Sequence, residues 1–126
     1  MVAQISVLQA LSEQFRPIFA ASPDGVYLCV DGMYRICSER LAEMFGYTVG
    51  EWEAVENFLD VFVDEHDQDL FGWNYQHRAA ALAFPATFRF RARRKDGTTF
   101  AAETDMIPLP YYGHVIAYHF VRQVGA

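Results

Sequence analysis

Apolar side chains recur at Ile5, Leu8, Leu11 and Phe15, the spacing of one helix face, and Pro17 is expected to end that helix. This predicts an N-terminal amphipathic helix over residues 1–16. Ser22-Pro23-Asp24-Gly25 has turn chemistry, residues 26–30 form a continuous apolar run expected as a buried strand, and Asp31-Gly32 is a tight hairpin into a second strand over 33–37. Ser38 is a good N-cap for a short helix over 39–45, with Leu41, Met44 and Phe45 on its apolar side and Gly46 at its end. A further short helix is expected near 51–55, followed by an apolar stretch over 58–63. The acidic segment 64–69 favours a helix start, so residues 66–82, carrying Leu70, Trp73, His77 and Ala81, are predicted as the longest helix.

Beyond residue 86 the period changes to two. Phe88, Phe90 and Ala92 alternate with Arg89, Arg91 and Arg93, the signature of a half-buried strand over 87–93. Lys95-Asp96-Gly97-Thr98 is a hairpin turn, residues 100–107 the return strand, and 114–121 a last strand after the Tyr112-Gly113 turn. That last strand is apolar on both sides, with Ile116, Tyr118 and Phe120 set against Val115, Ala117 and Val121, so both faces of the sheet must be covered. The middle helices cover one face. The N-terminal helix or a second copy of the chain covers part of the other, which makes Ile5, Leu8, Leu11 and Phe15 a candidate homodimer interface.

Composition narrows the class. The 126 residues are 52% hydrophobic and 16% aromatic, enough for one sizeable core and too apolar for a disordered chain. A net charge of −6 opposes wholesale binding to nucleic acid or anionic lipid. No apolar run approaches the roughly 20 residues of a membrane helix, and a signal-peptide pattern is lacking at the N-terminus, so a cytoplasmic location without membrane contact is expected. Arg89 to Lys95 carries half of the positive charge and Glu51 to Asp69 half of the negative, an asymmetry suited to docking or to two solvated faces. Cys29 and Cys37 sit in apolar stretches and read as buried thiols. The histidines at 66, 77, 114 and 119 have no partner at metal-ligand spacing.

Three segments then carry a family resemblance. Ser22-Pro23-Asp24-Gly25-Val26 resembles the approach to the first strand of PAS domains, Phe45-Gly46-Tyr47-Thr48 with Glu51 resembles their "GY(S/T)xxE" segment, and Arg93-Arg94-Lys95-Asp96-Gly97-Thr98 resembles their "RRKDGT" hairpin. The three stand in family order over about residues 15–122. The resemblance implies an α+β fold in one domain over 1–126, with its core over 17–124: a five-stranded antiparallel sheet with helices between its second and third strands. With the element order, it places the 26–30 strand centrally, between the 33–37 and 114–122 strands. Val26, Leu28, Leu41, Met44, Leu70, Trp73, Phe88, Phe90, Ile116 and Tyr118 are expected to face one interior between sheet and helices.

For function, the resemblance implies a sensory module without catalysis. It would relay to an output domain such as a histidine kinase or nucleotide cyclase, in a longer chain or in a separate partner. Members bind haem, flavin, small organic acids or nothing. His66 and His77 do not fall at the family's usual haem position, and Cys37 lies outside the helix that flavin adduct chemistry needs, so no haem or flavin is expected. A small organic ligand is expected instead, with contacts drawn from Leu28, Leu41, Met44, Trp73, His77, Phe88, Phe90, Ile116 and Tyr118. Tyr75 is expected to point away from the face shared by Trp73 and His77. Glu103 and Asp105 read as exposed charges opposite Arg89 or Arg91 rather than catalytic carboxylates. Gln123 replaces the Asp of the family's closing "RDIT", which bears on the relay. Two other readings stand beside this one: a dimerisation module with a filled core, and a small cone-type isomerase or dehydratase.

Overall fold

Turn chemistry divides the chain where the sequence pattern places it, and the strands between the turns assemble into one antiparallel sheet. The structure, a computed structural model, describes the backbone of residues 2–79 and 85–125 and the side chains of residues 6–77 and 85–125. The strands are β1 (Gly25–Val30), β2 (Tyr34–Cys37), β3 (Ala86–Arg93), β4 (Thr99–Tyr111) and β5 (His114–Gln123), in spatial order β2-β1-β5-β4-β3. β1 pairs with β2 on one side and β5 on the other, with Leu28 opposite both Ile36 and Tyr118. Helix α1 (Val2–Ala21) precedes the sheet. Four short helices lie between β2 and β3: α2 (Glu39–Phe45), α3 (Val49–Glu53), α4 (Phe58–Phe62) and α5 (Gln68–Asn74).

Side-chain caps fix the middle segment. The Ser38 hydroxyl accepts from the Leu41 N–H at 3.2 Å, starting α2, and from the Val26 N–H at 3.1 Å, tying that helix to the head of β1. Gly46, at φ +82°, closes α2 in the left-handed conformation that favours glycine. Thr48 and Glu51 form a reciprocal capping box at the start of α3. Glu51 also meets Lys95 at 2.6 Å, and the Lys95 N–H donates to the Phe45 carbonyl at 2.9 Å. Two of the three family-like segments therefore touch: the helix-ending segment at 45–51 is the platform on which the 93–98 hairpin rests.

The sheet separates two apolar layers. On the helical side Trp52, Phe62, Phe45, Phe71 and Phe90 pack against Tyr27, Cys29 and Ala117. On the other side Leu11, Phe15 and Phe19 of α1 cover Val26, Leu28, Val30, Ile116 and Tyr118. Phe88, Phe90 and Ala92 face the helices while Arg89 and Arg91 face out, as the alternation predicts. Arg89 pairs with Glu103 at 3.1 Å across β3 and β4.

Several expectations are corrected. The first helix does not stop at Pro17 but runs on to Ala21. Pro17 is exposed, and Leu11, Phe15 and Phe19 bind the helix to the sheet across that point. The single long helix over 66–82 is instead a 3₁₀ turn (Glu65–Asp67), α5 and a π-helical turn (Tyr75–Ala79), and Ala81 lies outside the described residues. Within α5, Leu70 and Trp73 face solvent and Phe71 and Asn74 face inward. Lastly, Val26, Leu28, Ile116 and Tyr118 face α1 rather than the middle helices. β1 and β5 are apolar on both faces, so their alternation carries no phase, and a slip of one residue exchanges the faces.

Candidate functional site

Between the inner face of β1–β2 and the helices α4 and α5 lies a cavity of about 670 Å³. Tyr27 and Cys29 of β1 form its sheet wall, and Phe58, Leu59 and Phe71 form its helical wall. Besides the Tyr27 phenol and the Cys29 thiol, polar side chains line it from Arg35 of β2, Asp31 of the β1–β2 hairpin, and Tyr75 and Gln76 of the π-helical turn. Tyr75 stands where α5 passes into the π turn, four residues beyond Phe71, and so shares the inward face over the cavity. The Tyr75 hydroxyl donates to the Cys29 sulfur at 3.9 Å, and it lies 3.2 Å from where a side chain on Gly32 would begin. Gly32, at φ +69°, is required by the hairpin, and a Cβ there would press on the Tyr75 hydroxyl.

The titratable groups of the cavity are set by burial. Desolvation pushes the Tyr27 phenol well above its ordinary range and raises the Cys29 thiol and the Tyr75 phenol. All three are neutral at physiological pH, so the cysteine behaves as a small apolar group with a weak donor rather than as a nucleophile. Asp31 is engaged at the mouth, where it accepts from the Val115 N–H at 3.0 Å and meets His114 Nδ1 at 2.8 Å.

Arg35 is the exception. Alternation in β2 turns Arg35 and Cys37 inward and Tyr34 and Ile36 toward α1, so an arginine that is 8% exposed as a residue stands on the apolar side of the sheet. One terminal nitrogen donates to the Val55 carbonyl, and its Nε has no hydrogen-bond partner. The guanidinium carbon lies 5.7 Å from the Trp52 ring centre and 5.5 Å from that of Phe58.

None of the nine residues expected to touch a ligand lines this cavity. Phe88 and Phe90 come nearest, packing behind its helical wall on Phe71 with ring centres 5.4 and 5.1 Å away. Leu41 and Met44 belong to the core on the same side of the sheet. Leu28, Ile116 and Tyr118 are on the other side, beneath α1. Trp73 and His77 share a face as expected, but stack on each other at 4.5 Å on the exterior. His66 is exposed and bonded to Asp64 at 2.9 Å. Of the residues proposed for an interface, Leu11 is fully buried and Leu8 and Phe15 half-buried against the sheet, while the Ile5 side chain lies outside the described residues. Arg35 was within reach of sequence reasoning: a charge two residues before an inward cysteine in a strand shares its face. Tyr75 points away from the face of Trp73 and His77 as expected, and its spacing of four from Phe71 puts it on the inward face.

Comparison with known proteins adds the following. A family model described as "PAS domain" matches residues 13–82, more than half of the chain. No curated protein sequence matches. Among solved structures, a PAS domain from a two-component sensor histidine kinase superposes with a TM-score of 0.71 at 17% identity, covering 92% of this chain and 99% of that one. The PAS domain of the fruit-fly ELK potassium channel gives 0.69 at 11% identity, with coverage of 94% and 98%. The N-terminal domain of a diguanylate cyclase with PAS/PAC sensor from Marinobacter aquaeolei gives 0.65 at 14%, with coverage of 79% and 94%. At these identities the structural likeness is one of fold.

Proposed function

Since the chain belongs to the PAS domain family, we propose that it is a sensory module that takes up a small organic ligand in the cavity between β1–β2 and α4–α5. One observation carries this reading: a cavity of about 670 Å³ with aromatic walls, onto which a cation, a phenol and an amide side chain converge. Small-molecule sites typically enclose roughly 300–1,000 Å³, with mostly apolar walls and a few placed polar groups.

In this reading the ligand acts by preferring one arrangement of the helices over another, since binding shifts an equilibrium only through differential affinity. The movable parts are α4, α5 and the π turn; β5, adjacent to β1, carries the change to the C-terminal end at Gln123. The output is a domain such as a histidine kinase or nucleotide cyclase, in the same chain or a partner. Support comes from the kinase and cyclase names of structural neighbours. The module works as a cytoplasmic homodimer and performs no catalysis itself. No helix among the described residues is long and apolar enough to cross a membrane.

The test is a visible absorbance spectrum with native mass spectrometry on freshly purified protein, repeated on Leu59→Trp, which fills the cavity. A colourless protein with a discrete added mass that disappears in Leu59→Trp is expected. A Soret or flavin band, or an added mass indifferent to Leu59→Trp, would remove the small-ligand reading.

A further inference from the structure

Arg35 sets a charged side chain on the apolar side of the sheet. The residue faces inward and is 8% exposed, one terminal nitrogen is bonded to a backbone carbonyl, and its Nε is buried without a partner. Among the described residues no carboxylate lies within ion-pair distance of it, although arginine elsewhere in the chain finds several: Arg122 alone meets Asp24, Glu103 and Asp105. A cation withdrawn from water without an anion is costly, and proteins normally pair it. Arg35 also lines the cavity, beside Phe58 and Tyr27.

From this juxtaposition we infer that the missing anion belongs to the ligand: the cavity takes an organic monocarboxylate whose apolar or aromatic body lies between Tyr27, Phe58 and Phe71 while its carboxylate pairs with Arg35. This deepens the proposed function and rests on it. A guanidinium presents a fork of donors that matches the two oxygens of a carboxylate. The cavity walls suit one anionic head and one apolar body, because the other charged lining group, Asp31, is an anion. A dicarboxylate would place its second charge against Asp31 or against the aromatic walls.

The competing explanation is structural. β2 is an edge strand, and an inward-pointing charge on an edge discourages pairing with another chain. The two explanations part over ligand selectivity. The experiment measures dissociation constants by NMR titration for acetate, butyrate, benzoate and phenylacetate against their primary amides, which have nearly the same shape without the charge. Wild-type protein is expected to bind at least one carboxylate about tenfold or more tighter than its amide, the scale of one charge-assisted hydrogen bond. Arg35→Gln is expected to bind the pair equally, with the acid weakened toward the amide. Should Arg35→Gln fail to fold, Arg35→Lys serves instead; it keeps the charge without the fork and is expected to retain a reduced preference. Amides binding as well as acids to wild type would overturn this inference and leave the cavity reading standing. Failure of every probe to bind would overturn both. A preference for the acid that survives in Arg35→Gln would place the anion elsewhere and sink the assignment to Arg35.

Discussion

His119 shows how much a single residue can hide in a strand. It lies on the inner face of β5, is fully buried, and stacks on Tyr27 with ring centres 4.1 Å apart and planes within 6°. Neither ring nitrogen makes a well-formed hydrogen bond, and burial, only partly offset by the Ala117 backbone, holds its pKa down at about 3. The sign follows from linkage. Between about pH 6.5, where an unfolded histidine titrates, and the folded value near 3, the unfolded chain binds the extra proton, so stability falls as pH falls by about 1.4 kcal/mol for each unit. His119→Phe keeps the stack and removes the proton. Its stability relative to wild type, from urea unfolding at several pH values, is expected to be flat above pH 6.5 and to rise below it by about that slope. A pH-independent difference would mean the ring finds a partner or charges in the fold. The sequence pattern does not distinguish this histidine, because β5 is apolar on both faces and gives it no phase. Arg35 differs: its face followed from the strand that holds it, and only its chemistry needed the structure.

At the scale of elements, what was legible is what turn and cap chemistry specifies. Ser22-Pro23-Asp24-Gly25, Asp31-Gly32 and Lys95-Asp96-Gly97-Thr98 bound strands that are present, and β3, polar on one face, was also oriented correctly from its alternation. Phase failed where polarity gave no contrast, in β1 and β5, and continuity failed where packing overrode a local rule, at Pro17. The helix over 66–82 is divided into a 3₁₀ turn, α5 and a π-helical turn, and its inward positions, Phe71, Asn74 and Tyr75, keep helical spacing one residue on from the expected Leu70 and Trp73. Ser38 is the best test of the capping argument, since one hydroxyl serves the α2 N-terminus and the first N–H of β1's inner run. Ser38→Ala leaves both donors buried, and its destabilisation in urea unfolding is expected at about 2–3 kcal/mol, more than a lone cap is worth. Ser38→Asn, a residue with an equivalent cap acceptor, should recover part of it. A loss below about 0.5 kcal/mol would show that water replaces the hydroxyl at no cost.

The whole molecule is a sheet with two different covers. The inner face is closed by four short helices that leave the cavity, and the outer face by α1 alone over β1, β2 and β5, with the Arg89–Glu103–Arg122 ladder over the rest. α1 does not finish the task. Leu8, Phe15 and Phe19 remain half-buried against it, as do Ile107, Tyr111 and Phe120 on the sheet, so a mixed apolar margin surrounds a core of Leu11, Leu28, Ile116 and Tyr118. The homodimer proposed above would bury that margin, with α1 from each copy on the other's outer sheet. Two variants separate assembly from folding. Deleting residues 1–14 uncovers Val26, Leu28 and Ile116 and is expected to cause aggregation and loss of the cooperative transition, because a contiguous apolar face of that kind does not persist in water. Leu8→Glu instead adds charge at a position already half in solvent. It is expected to move sedimentation velocity from dimer to monomer while lowering stability by about 1 kcal/mol, within the range of a partly exposed substitution. A wild-type chain that sediments as a monomer at its highest soluble concentration, with Leu8→Glu indistinguishable from it, would assign α1 wholly to the fold and remove the dimer from the signalling scheme.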